Sequence, residues 1–63
     1  MTLHSVEVFI ARVEARAYLY AAGEFDFETA SEPIYCYAIE HGLVAGFGMD
    51  AVHSFIMAEF GEP

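Results

Sequence analysis

Val6, Phe9, Ile10, Val13, Ala17 and Tyr20 recur three or four residues apart, which puts them on one apolar face of a helix. Thr2 or Ser5 offers a hydroxyl for the N-cap, and Gly23 stops the run. Alanines at 11, 15, 17, 21 and 22 add helix propensity. The spacing predicts a first helix over about 3–22. On its wheel Glu7 and Glu14 flank one edge of the apolar face, and Arg12 and Arg16 flank the other.

Glycines at 23, 42, 46, 48 and 61 punctuate the remainder. Phe27, Ala30, Ile34, Tyr37, Ala38 and His41 share a face in a second helix over about 27–41. Pro33 complicates it, because an interior proline removes a backbone donor and crowds the previous turn. The reading that reconciles the two has Asp26 cap a short first turn and Ser31 cap the main helix, with Pro33 in its first turn. Tyr35 and Ile39 form a second apolar stripe that the same core cannot cover. Glu24–Glu28 alternates with period two, so a short strand is the alternative there. The apolar, glycine-rich connection Gly42–Gly48 is expected to fold back on the core. Met49, Val52, Phe55, Ile56 and Phe60 predict a last helix over about 49–60. His53 and Met57 widen its apolar arc, which points to contacts on two sides. The fold class that follows is all-α, a compact three-helix bundle, with 1–63 as a single small helical domain.

A chain of 63 residues has a thin stability margin, and Cys36 is its only cysteine, so no intramolecular disulfide can staple it. Hydrophobic residues make up 57%, more than a chain this short can bury within itself. A homo-oligomer, such as a homodimer, or an obligate hetero-complex is therefore expected. The tyrosines form two i,i+2 pairs, Tyr18/Tyr20 and Tyr35/Tyr37, and residues two apart do not share a helix face. Tyr18 and Tyr35 are read as the exposed members. With Phe25, Ile56, Met57 and Phe60 they make the expected apolar interface.

Ten carboxylates stand against two arginines, with no lysine, for a formal net charge of −8. That balance argues against direct contact with nucleic acid or an anionic membrane, and favours a basic protein as partner. Glu24, Asp26, Glu28 and Glu32 fall within nine residues, interleaved with Phe25 and Phe27. One reading is a row of carboxylates imitating a phosphate backbone, which arginines would grip in its place. The other is that these acids favour the second helix's N-terminus while the phenylalanines enter the core. Arg12 and Arg16, like charges one turn apart, are relieved if the acidic stretch folds back on them. Otherwise they form a small cationic handle.

Other chemistry is faintly signalled. His4, His41, His53 and Cys36 are scattered without zinc spacing, and Asp50 and His53, three apart, are more simply a helix-start acid and a surface group. Neither metal nor cofactor is expected. Gly46-Phe47-Gly48 lacks the residues of a phosphate-cradling loop, and Cys36 has no neighbouring base in the sequence pattern. No catalysis is expected, so the chain is read as not an enzyme. No basic region precedes an apolar stretch, and no run reaches the ~18 apolar residues of a membrane span. A cytoplasmic protein is the expectation.

In size and charge the chain resembles small acidic inhibitors carried by phages and mobile elements, among them anti-restriction and anti-CRISPR proteins. The likeness is one of composition, and no motif carries it. The expected function is stoichiometric protein–protein binding, most specifically inhibition by blocking a basic nucleic-acid-binding surface. The alternative is a self-associating helical bundle or adaptor subunit with a structural role.

Overall fold

The computed structural model describes residues 2–61. Four helices follow in order: α1 (Leu3–Ala21), α2 (Phe27–Glu40), α3 (Leu43–Phe47) and α4 (Met49–Phe60). The all-α class is as read from the sequence. The addition is α3, a five-residue helix in the glycine-rich connection.

Thr2 caps α1, its hydroxyl oxygen accepting from the Ser5 N–H at 3.1 Å. At the other end the Gly23 N–H bonds the Tyr20 carbonyl and the Glu24 N–H bonds the Leu19 carbonyl, both at 3.0 Å. This Schellman closure needs a left-handed residue, and Gly23 supplies it with φ +80°. The chain then reverses, and Asp26 caps α2 by accepting from the Thr29 N–H at 2.7 Å.

α2 is one helix rather than two, which corrects the reading of Ser31 as a second N-cap. Ser31 is buried, and its hydroxyl makes only a long contact to the Glu28 carbonyl. Pro33 lies in the middle of α2, not in a first turn. Having no N–H, it cannot donate to the Thr29 carbonyl four residues earlier. Arg16 of α1 fills that place: Nη2 donates to the Thr29 carbonyl at 3.0 Å and Nε to the Ala30 carbonyl at 2.9 Å.

Aromatic pairs fix the helix directions. Tyr20, Phe27 and Phe60 form a three-ring cluster with centroids 5.3–6.0 Å apart, which joins the end of α1, the start of α2 and the end of α4. Phe9 lies 6.5 Å from Tyr37 and 5.8 Å from Phe55 at the opposite end. So α2 runs antiparallel to both α1 and α4. Between these aromatic ends Val13, Ala30, Ile34, Ala38, Leu43, Val52 and Ile56 form a closed core. Ala30 and Ala38, fully buried, leave room for the facing helices to approach.

The connection packs inward through Leu43, as expected of so apolar a segment. Gly42 enters α3 at φ +79°, and Gly48 leaves it at φ +91°, ψ 149°, a region open in practice to glycine alone. These two residues turn the chain so that α4 lies against α1. No helix among the described residues is long and apolar enough to cross a membrane.

Candidate functional site

The acidic residues line the turn from α1 into α2 and the outer face of α2. Glu24 is exposed in the turn, and Glu28 and Glu32 are exposed one helical turn apart on α2. Their backbone is helical from Phe27 on, so the strand alternative is not adopted. The two carboxylates are spaced by about 6 Å of helix rise. Asp26 plays a different part. Its carboxylate is the α2 cap, and the Thr29 hydrogen bonds hold its pKa below the ordinary aspartate value.

Among the described residues neither arginine forms a salt bridge with these carboxylates. Arg16 is held by the Thr29 and Ala30 carbonyls and lies over the Phe25 ring, 5.1 Å from its centroid. Arg12 lies over the Tyr37 ring at 5.1 Å. The acidic stretch does fold back on Arg16, meeting it through the Phe25 ring and the Thr29 and Ala30 carbonyls rather than through carboxylates, while Arg12 is met by Tyr37 instead. Tyr37 in turn donates its hydroxyl to the Ser5 carbonyl at 3.3 Å and stacks on His41 at 4.1 Å.

The expected apolar interface is divided by the fold. Tyr18 is 74% exposed, and Phe25 is at the surface beneath Arg16. Tyr35 is half-buried: its hydroxyl bonds His53 Nδ1, its ring stacks on the imidazole, and burial raises its pKa. Met57 is also half-buried. Ile56 and Phe60 are not available to a partner. Ile56 is 0% exposed and Phe60 7%, because the inner half of the wide α4 arc faces α1 and α2.

An apolar surface that sequence reasoning missed lies on the other side of α1. Val6 and Ile10 of α1 face Phe47 of α3 and Ala51 of α4 across a groove of about 210 Å³, with Leu43 and Phe55 among its lining. Every lining residue is apolar. Ile10 is 39% and Phe47 54% exposed. The sequence carried one signal, since Ile10 stands at the edge of the α1 arc beside Glu14 on the wheel. Phe47 had none, lying between two glycines in an irregular connection.

Among the described residues no group of three or more His, Cys, Asp or Glu is arranged to hold a metal ion. Cys36 is exposed on α2 in a shallow surface with Glu32, Tyr35 and Ile39. Comparisons with protein-family models, curated proteins and solved structures find no match to this chain.

Proposed function

We propose that the protein acts by stoichiometric binding to a basic protein, and that its most specific form of action is inhibition, by covering a nucleic-acid-binding surface. The observation that supports this reading is the internal use of both arginines. With Arg12 on a ring face and Arg16 on carbonyls, Glu24, Glu28 and Glu32 face solvent without a salt bridge among the described residues. Uncompensated charge of one sign raises encounter rates with an oppositely charged protein and repels nucleic acid. Glu24, Glu28 and Glu32 are the proposed contacts, Asp26 fixes the helix that presents two of them, and Tyr18, Phe25, Tyr35 and Met57 are the proposed apolar contacts. The size and charge of phage anti-CRISPR and anti-restriction inhibitors agree with this mode.

The test is the salt dependence of complex formation with a partner recovered from the native host. Affinity should fall steeply between about 50 and 300 mM salt, and nucleic acid should compete for the partner. Affinity indifferent to salt would sink the reading. A self-associating bundle is the second reading, favoured by the exposed Leu3, Ile10 and Phe47. Sedimentation at micromolar concentration decides it, since a monodisperse monomer removes the homodimer.

A further inference from the structure

We propose that the groove between α1 and the α3–α4 corner seats an amphipathic helix of a basic partner. Apolar side chains would enter between Ile10 and Phe47, and lysine or arginine would meet Glu7 and Glu14. The inference rests on the basic-partner reading above and assigns it a second contact surface, away from the acidic turn.

The groove is lined by apolar residues alone, and on α1 the exposed Glu7 and Glu14 lie just outward of Ile10 on the helix surface. Leu3, Glu7, Ile10 and Glu14 follow one another at i, i+4, i+7 and i+11, so they make one stripe along the helix surface. All four are exposed, Leu3 at 74%. Glu7 and Glu14 are seven residues apart, or about 10.5 Å along the axis. A partner helix lying along the groove presents its own residues i and i+7 at the same interval, and when i+1, i+4, i+5 and i+8, centred about 90° further round its axis, turn into the groove, i and i+7 lie along its edge. Cations at i and i+7 beside an apolar face at i+1, i+4, i+5 and i+8 therefore match the rim and the floor together.

Charge selects this occupant over a second copy of the chain. Pairing two copies through the groove would bring Glu7 and Glu14 of each toward the other, on molecules already at −8 each. Neither arginine is free to answer them, because Arg12 and Arg16 are engaged toward α2. A cationic helix meets the same rim with attraction.

The probe is a synthetic 18-residue helical peptide with leucines at i+1, i+4, i+5 and i+8 and lysines at i and i+7, titrated into the ¹⁵N-labelled full chain. The largest amide shifts should fall at Val6, Ile10, Phe47 and Ala51. Ile10→Ser and Phe47→Ser keep the charge unchanged and alter exposed positions, and each should weaken binding about tenfold or more. Leu3→Ser, at a still more exposed site, should weaken it in the same direction. Glu7→Gln with Glu14→Gln should weaken it several-fold and flatten its salt dependence, while Glu40→Gln, at an exposed acid outside the groove lining and the acidic turn, should leave it within twofold.

Four results would overturn the inference. A peptide with its leucines replaced by glycine binding equally well, or shifts confined to Glu24–Glu32, would show contact by charge on the acidic turn alone. The basic-partner reading would survive that outcome and the groove would not. Absence of binding at millimolar peptide would remove the groove as a helix site. A dimer in sedimentation that Ile10→Ser or Phe47→Ser dissociates would make a second copy the occupant.

Discussion

Arg16 stands in for the amide proton that Pro33 lacks. In an uninterrupted helix the N–H of residue 33 would donate to the Thr29 carbonyl, and here Nη2 of Arg16 does so from the neighbouring helix. The same guanidinium takes the next carbonyl, Ala30, through Nε. A defect within α2 has thus become a point of attachment for α1.

Removing that attachment should be costly and should depend on the proline. Arg16→Ala is expected to lower stability by about 1–2 kcal/mol, the range for a charge-assisted hydrogen bond discounted for partial exposure. Arg16→Lys should not restore it, because an ammonium cannot span two carbonyls as the planar fork does. In a Pro33→Ala background the loss should shrink by about 0.5–1 kcal/mol, since an alanine amide there can bond the Thr29 carbonyl itself. Urea unfolding of the parent, the two single variants and the double variant measures the coupling.

The inner and outer halves of the apolar surface should respond in opposite ways. Ile56→Ala removes a fully buried side chain and should cost about 2–5 kcal/mol. That approaches the whole stability of about 3–9 kcal/mol expected at this length. Ile56→Glu should therefore abolish the folded state rather than an assembly, seen as loss of far-ultraviolet dichroism at room temperature. Ile10→Ser should retain the helical spectrum.

The Asp26 cap makes stability sensitive to acid. Folding lowers this carboxyl's pKa, so its contribution is complete above the ordinary aspartate range and is lost as pH falls through about 4 and below. Asp26→Ala should lower the unfolding midpoint at neutral pH and change it little at about pH 2. Asp26→Asn, which keeps an accepting oxygen, should preserve more of the neutral-pH stability and flatten the acid limb. Thermal melts from strongly acidic to neutral pH give the comparison.

Tyr35 makes the corresponding statement at alkaline pH. Partial burial raises its pKa, so the neutral phenol favours the folded state, and its contribution persists up to the ordinary tyrosine range. It is lost as pH rises through the elevated value. The phenolate absorbance titration should contain a component displaced above free tyrosine, and Tyr35→Phe should remove it.

Gly48 should tolerate no side chain, although there is room for one. A Cβ at this position would meet nothing within 4 Å, yet φ +91° with ψ 149° is strained for any L-residue. Gly48→Ala should cost about 1–3 kcal/mol from the backbone alone. Chemical denaturation would show it as a shift in midpoint with an unchanged slope.

Local signals carried the helices a long way. The α1 face, the Thr2 and Asp26 caps and the Gly23 stop all depend on contacts within a few residues, and each is legible from spacing and side-chain chemistry. The Ser31 cap failed because the remedy for Pro33 comes from another helix, and single-chain pattern offers no sign of it. Ile56 and Phe60 were assigned outward because a wide arc tells that two sides are apolar, not which side the neighbours take. The groove was hidden for the same reason: it exists only once the Gly42 and Gly48 turns bring Phe47 opposite Ile10.

The same two arginines decide how the folded chain meets a protease. Trypsin cuts only after Arg12 and Arg16, since lysine is absent, and both bonds lie inside α1. Val13, the residue after the first bond, is wholly buried, and the Arg16 side chain is occupied by α2. Neither bond can enter a cleft that requires an extended strand and a free guanidinium while α1 remains docked. Cleavage must wait for the two helices to separate, so the rate at which this acidic protein is nicked reports the population in which α1 has left α2, and at high protease the rate of leaving.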